Sequence, residues 1–451
     1  MIARDGATTL VVEDKNSINA TEVASPKGYK KTKVGVIPEE WSVVTFNDLR
    51  DTNVSHSITG GPFGSNLKSE HYTKAGVRII QLQNIGDGSF INKDFIYTNE
   101  KKATELKSCL IYPNDIILAK MAEPVARACI IPNFEKKFLM GSDGIRLHID
   151  KDKYDNKFIL ESINYKQFRR IAIARSTGST RQRIGLNDLK TIPIAIPPLK
   201  EQQKIANILT TWDKAIEKMQ KLITAKEKLK KGLMQKLLSG EVRFGATTLV
   251  VENKNSINAT EVASPEWEEV KLKKIVNCFD NKRVPLNKQE RQKMQGNIPY
   301  YGSTSIVDYI NDYIFNEELV LVSEDGGYFY EFETRPIAFY ITGKSWINNH
   351  VHIIKNKNDS LNLKFLYYAL VHKNITAFLN GGTRAKLNKK DLLLLKIKLP
   401  PLKEQQKIAQ VLTTADKEIE LLKKELEEFK KQKKGLMQKL LSGEVRVTYE
   451  P

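Results

Sequence analysis

Two stretches of the chain, residues 199–239 and 402–442, carry apolar side chains at alternating intervals of four and three positions. This spacing is typical of a coiled-coil seam and predicts two long helices, each apolar along one narrow stripe. A Pro-Pro pair precedes each stretch and a Ser-Gly pair ends it, which suits the first turn and the C-terminal cap of a helix. The predicted seam positions are Ile205, Leu209, Trp212, Ile216, Met219 and Ile223 in the first stretch, and Ile408, Leu412, Ala415, Ile419, Leu422, Leu426 and Phe429 in the second.

Two such stripes in one chain favour pairing of the helices with each other, as an antiparallel coiled coil with pseudo-two-fold symmetry. At about 1.5 Å per residue, each helix would form a rod of roughly 60 Å. The alternative is that each stripe packs against its own globular domain.

The helices belong to segments that occur twice in the sequence. PPLKEQQKIA opens residues 197–243 and again residues 400–446, and both copies end in KKGLMQKLLSGEVR. A second near-identical segment, built around GATTLVVE and NSINATEVASP, occupies residues 1–26 and 244–265, and a short tail follows at 447–451. The chain is therefore a duplicated scaffold that holds two intervening blocks.

The two intervening blocks, residues 27–196 and 266–399, are dissimilar over most of their length. Residues 27–39 of the first block have no counterpart in the second. Each block alternates β-rich runs with turns and one longer helical pattern, so each is predicted to be a mixed α+β domain. The predicted strands are Val77–Leu82, Asp115–Leu118, Ile145–Ile149, Leu319–Ser323, Ile337–Thr342 and Val351–Ile354, and the predicted helices are Lys157–Arg175 and Leu363–Leu379.

The composition indicates a soluble protein with a polyanionic partner. The 451 residues carry a net charge of +19, and such an excess favours nucleic acid binding. Nearly half of the excess lies on the two helices, where lysine often serves only to solvate an exposed face. The sequence has no long apolar stretch or signal peptide, and its three cysteines form no C-x-x-C pair. These features predict a cytoplasmic protein without a membrane span or a disulfide framework.

Motifs that could carry chemistry are weak. TGKS at residues 342–345 resembles the end of a phosphate-binding loop, but the required glycine is replaced by Ala338. The pair formed by His350 and His352 lacks a recognisable third ligand, so no metal site is predicted. The carboxylates of Glu324 and Asp325 stand where a turn is expected after a strand. The chain is therefore predicted to be non-catalytic and to bind no cofactor itself.

Base recognition requires hydrogen-bonding side chains on loops that can reach the edges of bases. Polar loop residues of both blocks fit this need, and a Thr-Arg pair occupies equivalent places where each block leads into its helix. The alternatives are that this last loop only orders the junction, and that the Asn and Gln residues cap turns. The candidates are Ser65, Asn66, Lys68, Gln81, Gln83, Asn84, Ser179, Thr180, Arg181, Gln182 and Arg183 in the first block, and Tyr301, Ser303, Thr304, Asn348, Asn349, Thr383, Arg384 and Lys386 in the second.

The combination of variable blocks with twice-repeated PPLKEQQKIA and KKGLMQKLLSG resembles the specificity subunit of type I restriction–modification systems. Several shorter stretches resemble its target-recognition domains. These stretches are IPEEW (37–41), GPFGSNLKSEHY (61–72), QNIGDG (83–88), YYGSTSIVDYI (300–310) and WINNHVHI (346–353).

The resemblance implies a protein that binds double-stranded DNA and leaves catalysis to its partners. Each recognition domain would bind one half of a bipartite, asymmetric site, and the helices would set the gap between the halves. Two modification subunits would dock on the scaffold and methylate adenine from S-adenosylmethionine, and restriction subunits would use ATP and Mg²⁺. The alternative from the residues alone is a coiled-coil scaffold that joins two protein-interaction domains without binding DNA.

Overall fold

The protein was analysed as a computed structural model, and the description covers residues 26–121, 123–178, 181–244, 266–381 and 385–448. The GATTLVVE segments at 1–26 and 244–265 lie almost wholly outside these ranges. The chain divides into two compact units. The first unit comprises Met1–Ile216 and Glu428–Pro451, and the second comprises Glu217–Glu427.

The first unit is a mixed α/β domain with one end of each long helix. Its strands are Tyr29–Thr32 (β1), Gly35–Pro38 (β2), Ser42–Thr45 (β3), Ile58–Gly60 (β4), Tyr72–Thr73 (β5), Val77–Ile80 (β6), Tyr97–Thr98 (β7), Leu110–Ile111 (β8), Ile116–Ala119 (β9), Ala128–Ile130 (β10), Phe138–Met140 (β11), Gly144–Leu147 (β12) and Pro193–Ile196 (β13). Its helices are Glu100–Glu105 (α1), Asn156–Asn164 (α2), Lys166–Ala174 (α3), Leu186–Lys190 (α4) and the first part of Leu199–Ser239 (α5).

Two sheets form the core of this domain. The antiparallel sheet has the order β10-β9-β12-β4, and the second sheet has the order β5-β7-β6-β11-β8. In the second sheet β6 and β11 run parallel, with Ile79 opposite Leu139, so their carboxyl ends lie at the same edge. Strand β13 returns to pair with β3, with Ile196 opposite Ser42, and this pairing joins the two ends of the domain where α5 begins.

The second unit repeats this plan with a different sequence. Its strands are Glu268–Lys271 (β14), Val276–Cys278 (β15), Gln295–Tyr301 (β16), Ile306–Ile310 (β17), Phe315–Asn316 (β18), Leu319–Ser323 (β19), Ala338–Ile341 (β20), Lys344–Ile347 (β21), Val351–Asn356 (β22), Leu379–Asn380 (β23), Lys386–Leu387 (β24) and Lys396–Leu399 (β25). Its helices are Leu272–Ile275 (α6), Lys288–Lys293 (α7), Leu363–Val371 (α8), Lys389–Leu394 (α9) and the first part of Leu402–Ser442 (α10).

The sheets of the second unit match those of the first in type. An antiparallel sheet has the order β15-β22-β19-β20, and a second sheet has the order β17-β16-β21-β18. Strands β16 and β21 run parallel, with Tyr300 opposite Trp346, and β14 pairs with β25 where α10 begins. Dissimilar sequences therefore build the same framework, because each preserves buried apolar strands at its centre.

The predicted seam positions of the long helices are covered. All thirteen predicted seam positions are buried or half-buried. Ile205 and Leu209 of α5 belong to the core of the first globular domain, as Ile408 and Leu412 of α10 belong to that of the second. The first turns of each stripe thus pack on the adjoining globular domain. The alternative interpretation of the sequence expected such packing for the whole stripe. Among the described residues, no helix combines the length and apolar character required to cross a bilayer.

Of the two predicted domain helices, the first is divided in two and the second is shorter than predicted. The first is divided at Tyr165, whose backbone is extended and whose ring is buried in the core, so α2 and α3 replace the single predicted helix. The second ends at Val371, because His372 leaves helical geometry and its Nδ1 pairs with the carbonyl of Phe332 (2.6 Å). The periodicity of the sequence does not reveal these tertiary contacts, so it could not predict where the helices break or end.

Candidate nucleic-acid interface

A glutamine near the start of α5 holds the first globular domain by hydrogen bonds to backbone atoms. The Gln202 amide donates to the carbonyls of Lys153 (3.1 Å) and Pro197 (2.9 Å). Its side-chain oxygen accepts from the backbone N–H of Asp155 (2.9 Å). Asp155 in turn caps α2 by accepting from Phe158 N–H, so Gln202 fixes the position of α2 relative to α5.

The same arrangement occurs at the start of α10. The Gln405 amide donates to the carbonyls of Ser360 (3.0 Å) and Pro400 (2.8 Å), and its oxygen accepts from Asn362 N–H (2.8 Å). Asn362 caps α8 through Phe365 N–H. The equivalent glutamines of the repeated KEQQ motif therefore have equivalent roles.

The neighbouring glutamate of the first KEQQ motif lies in a buried clamp. Trp41 Nε1 donates to Glu201 (3.1 Å), and Arg446 donates two hydrogen bonds to the same carboxylate (2.8 and 2.9 Å). Glu201 and Trp41 are fully buried, while the Arg446 side chain is 34% exposed. The hydrogen bond to Glu201 raises the pKa of Arg446. Arg446 comes from GEVR at the end of the second repeat, so this clamp joins the two repeats.

An equivalent clamp in the second unit also joins the two repeats, but here the glutamate comes from the second repeat and the arginine from the first. Glu404 accepts from Trp267 Nε1 (3.1 Å) and twice from Arg243 (2.9 and 3.0 Å). Burial acts to raise the pKa of Glu404, but the hydrogen bonds from Arg243, Phe244 N–H and Trp267 lower it below its usual value. The invariant polar residues of the repeats therefore build junctions. Their identity in both copies was the sequence signal for this role.

Loops that are distant in sequence meet at one edge of the first domain, where β6, β9 and β11 end. Gly141 N–H donates to the carbonyl of Ile80 (2.7 Å), which places the loop after β11 beside the loop after β6. Lys120 N–H donates to the Asp143 carbonyl (2.7 Å), and Ile184 N–H donates to the Lys120 carbonyl (3.0 Å). The segment before α4 is thereby held at the same place.

Side chains of these loops form a polar surface that we call the first edge, defined by Gln81, Lys120, Asp143 and Arg183. The Arg183 guanidinium pairs with the Asp143 carboxylate. Arg183 also exchanges two backbone hydrogen bonds with Thr177 (2.9 Å each), so these two residues are held opposite each other. The predicted candidates Gln81 and Arg183 are thus brought together.

The glycine-rich loop that carries Ser65, Asn66 and Lys68 starts at the same edge. A Cβ added to Gly61 would lie 1.8 Å from the carbonyl oxygen of Gly141, so only glycine allows this close approach. Gly61 N–H also donates a hydrogen bond to the carbonyl of Gly144 (2.8 Å). The loop is therefore anchored at its base, and its three candidate side chains are exposed.

The remaining polar candidates after β6 have unequal positions. Gln83 is exposed and donates to the side chain of Gln81 (2.7 Å). Asn84 is fully buried, and it accepts from Gln81 N–H and donates to the carbonyls of Ile91 and Lys93. Asn84 therefore holds the turn, which was the alternative interpretation of this residue, and it is not available to a base in this conformation.

The second domain has a comparable surface where β16, β19 and β21 end, which we call the second edge, defined by Ser303, Glu324, Asn348 and Lys386. Asn348 N–H donates to the Tyr301 carbonyl (3.1 Å), which brings together the loops after the two parallel strands. Ser323 Oγ, at the end of β19, donates to the Ser303 carbonyl (2.6 Å). Lys386, the first residue of β24, pairs with Glu324 (3.1 Å).

The other candidate residues differ in their exposure. Arg181, Gln182 and Asn349 are exposed, Tyr301 and Thr304 are half-buried, and Asn348 is buried with its side-chain oxygen accepting from His350 N–H (2.9 Å). Ser179, Thr180, Thr383 and Arg384 lie outside the described residues, so the equivalence of the two Thr-Arg pairs stays a prediction.

A buried ionic network contacts the second edge through Glu324. The Arg283 guanidinium pairs with Glu324 and donates to the Val351 carbonyl (3.0 Å). Beside it, His352 Nδ1 lies 2.7 Å from Asp280 Oδ2. Burial acts to raise the pKa of Asp280, but the hydrogen bond and the charge of His352 outweigh it and lower the pKa to about 2.

The first domain also contains a buried network, at the opposite end of β9. Asp115 is fully buried and accepts from Arg146 Nε (2.6 Å) and from Tyr112 N–H (2.9 Å), while His148 Nδ1 lies 2.6 Å from its other oxygen. Each charged group in this network has a partner, which offsets the cost of burying it. These pairings were not predicted from the sequence, because the partners are distant along the chain.

Comparison with known proteins identifies the family. The model of the type I restriction modification DNA specificity domain matches residues 38–227 and again residues 265–431. The chain belongs to this family. The two matches correspond to the two copies of block and helix in the duplicated scaffold. The expectation of a non-catalytic specificity subunit is confirmed at the level of the family.

Individual relatives agree with this assignment. The chain is 27% identical over 436 residues to the MjaX specificity subunit of Methanocaldococcus jannaschii, covering 93% of this chain and 97% of that protein. It is 29% identical over 374 residues to the MjaVIII specificity subunit of the same organism, covering 76% and 81%. The S subunit structure from M. genitalium has a TM-score of 0.55 at 20% identity, covering 89% of this chain and 96% of that one, and shows a shared fold.

Proposed function

We propose that this specificity subunit binds double-stranded DNA through the first and second edges, each contacting one half of a bipartite, asymmetric site. The observation that carries the proposal is the convergence, in each domain, of polar loops from three distant parts of the chain at the end of one parallel strand pair. Such a surface presents donors and acceptors at fixed positions, as contacts to bases and phosphates require. The net charge of +19 supports affinity for a polyanion.

We further propose that residues 27–196 and 266–399 are independent recognition domains. Their dissimilar loops favour two different half-site sequences, while their common framework favours the same orientation on each helix. Exchanging residues 266–399 for the corresponding block of another specificity subunit should change one half-site only. A change in both half-sites would contradict independent recognition.

The long helices are proposed to pair as an antiparallel coiled coil that sets the gap between half-sites. Contacts within each unit support this proposal. In the first, Trp212 packs edge-on against Phe429 (5.8 Å between centroids) and Asp213 pairs with Lys433 (2.5 Å). In the second, Lys226 pairs with Glu418 (2.6 Å). Higher residue numbers on α5 meet lower numbers on α10, as antiparallel helices require.

The repeated junctions are proposed to present two equivalent docking positions for modification subunits, in a cytoplasmic complex that restriction subunits can join. S-adenosylmethionine, ATP and Mg²⁺ would be used by those partners and not by this chain. The decisive experiment is to sequence methylated adenines in a host that carries the chain with its partner subunits. A bipartite motif that disappears when this chain is deleted supports the proposal, and methylation without such dependence refutes it.

Duplex binding by the isolated chain separates this function from that of a protein scaffold. Because phosphate contacts release counterions, affinity for duplex DNA should fall steeply with salt. A scaffold that joins two protein-interaction domains would show no preference for duplex DNA at any salt concentration.

A further inference from the structure

Three potential metal ligands converge beneath the second edge. The thiol of Cys278, a carboxylate oxygen of Asp280 and Nδ1 of His352 all lie within 4.8 Å of one another. Cys278 ends β15, which pairs with the strand that carries His352, and Asp280 begins the turn that follows. The second and third ligands that the sequence did not reveal beside His352 therefore come from the neighbouring strand of the same sheet.

The orientation of His352 suits a metal ligand. Its Nε2 lies 2.8 Å from the carbonyl oxygen of Leu387, an acceptor that requires the proton on Nε2. Nδ1 is thereby directed at Asp280 and Cys278, and the ring is held in place because His352 is only 1% exposed. A metal-bound imidazole characteristically donates its other N–H to a carbonyl or carboxylate, which fixes the tautomer and the ring orientation.

We propose that Cys278, Asp280 and His352 bind one zinc ion, with water in the fourth position. A thiolate, an imidazole and a carboxylate match the donors that Zn²⁺ prefers, whereas Mg²⁺ and Ca²⁺ favour oxygen ligands alone. The site is independent of the DNA-binding function proposed above, since it rests on the geometry of these three side chains.

The groups that would hold the ion contact one another in its absence. The Cys278 thiol hydrogen-bonds to Asp280, and Nδ1 of His352 lies 2.7 Å from the same carboxylate. Zn²⁺ would take the place of these contacts, and the thiol would release its proton to solvent on binding as the thiolate. The guanidinium of Arg283 lies 3.9 Å from Asp280.

The position of the site gives the metal a structural role. It would cross-link the end of β15 to β22, and the hydrogen bond from His352 to Leu387 would extend this support to β24. The residue before Leu387 is Lys386, a member of the second edge. Bound zinc would therefore fix the position of β24 relative to the sheet that contains β15 and β22.

The test uses Co²⁺ as a spectroscopic substitute for zinc in the full-length protein. Titration should give one equivalent bound with a thiolate-to-cobalt charge-transfer absorption, and Zn²⁺ should abolish this absorption by displacement. Cys278→Ser should remove the absorption. His352→Gln removes a direct ligand, so it should weaken metal affinity by more than the ~10–100-fold that loss of an outer-shell partner costs.

Matched controls distinguish this site from others. Cys109→Ser removes a buried thiol of the first domain, and His350→Gln removes the neighbouring imidazole, which pairs with Asp325. Both variants should bind cobalt as the unmodified protein does. Absence of thiolate absorption at micromolar metal in the unmodified protein would overturn the proposal, as would absorption that persists in Cys278→Ser. The first of these readouts needs no variant, so it stands if a substitution impairs folding.

Discussion

The buried clamp around Glu201 gives the sharpest prediction of stability. Replacing Arg446 by Met removes two hydrogen bonds to Glu201 and one to the exposed carboxylate of Glu40. It leaves the Glu201 carboxylate, which is fully buried, with Trp41 Nε1 as its remaining clamp donor. Breaking a buried ion pair costs about 3–5 kcal/mol when both partners are fully buried. Because Arg446 is 34% exposed, solvent reduces this cost, and we expect a loss of about 2–3 kcal/mol.

The loss should be measured by urea denaturation with tryptophan fluorescence, since the Trp41 indole contacts the carboxylate directly. Lys439→Met is the matched control, because Lys439 pairs with Glu444 at 3.7 Å and both side chains are more than half exposed. Its effect should stay within about 0.5 kcal/mol.

A double variant tests the mechanism of this destabilisation. Combining Arg446→Met with Glu201→Gln removes the unpaired charge, so the double variant should be more stable than Arg446→Met alone. If Arg446→Met is no less stable than Lys439→Met, or if Glu201→Gln gives no recovery, the clamp does not hold the repeats together as described here.

Three further outcomes are expected. Arg181→Ala should weaken binding of the first half-site by ~1–3 kcal/mol in a competition assay with duplex DNA, and unchanged binding would leave the loop with only its junction role. Inserting four residues after Leu222, about one helical turn, should alter the gap in the methylated motif but not either half-site, so an unaltered gap would contradict the spacer role. The pKa of Asp280 lies at about 2, below its unfolded value of roughly 3.9, so its stabilising contribution should be complete above about pH 4 and disappear as the pH falls towards 2. Asp280→Asn should flatten that part of the stability profile measured by thermal unfolding, and an unchanged slope would refute the assignment.

The repeated sequence predicted the long helices well because their structure is local. Their 3.5-residue apolar period, the preceding prolines and the final Ser-Gly are all contained in contiguous segments, and the structure has helices at Leu199–Ser239 and Leu402–Ser442. The same periodicity could not separate packing on a globular domain from packing on another helix. Ile205 and Leu209 therefore belong to a domain core even though they continue the seam pattern.

The candidate interface was predictable only in part because its geometry depends on long-range contacts. Polar loop composition pointed to Gln81 and Arg183, which the structure brings to one edge. Composition could not show that Asn84 turns inwards to satisfy backbone groups. It also could not pair Asp280 with His352, since adjacency of their strands in the sheet is a property of topology.

The hydrogen bonds made by Gln202 and Gln405 have a consequence for the ancestry of this protein. The side chain of each glutamine hydrogen-bonds to the globular domain at main-chain atoms, those of Lys153 and Asp155 in one case and of Ser360 and Asn362 in the other. These hydrogen bonds do not depend on which side chains the domain carries at those positions. Under the function proposed above, recombination could therefore exchange one globular domain, and with it one half-site preference, while the repeated segments stay unchanged.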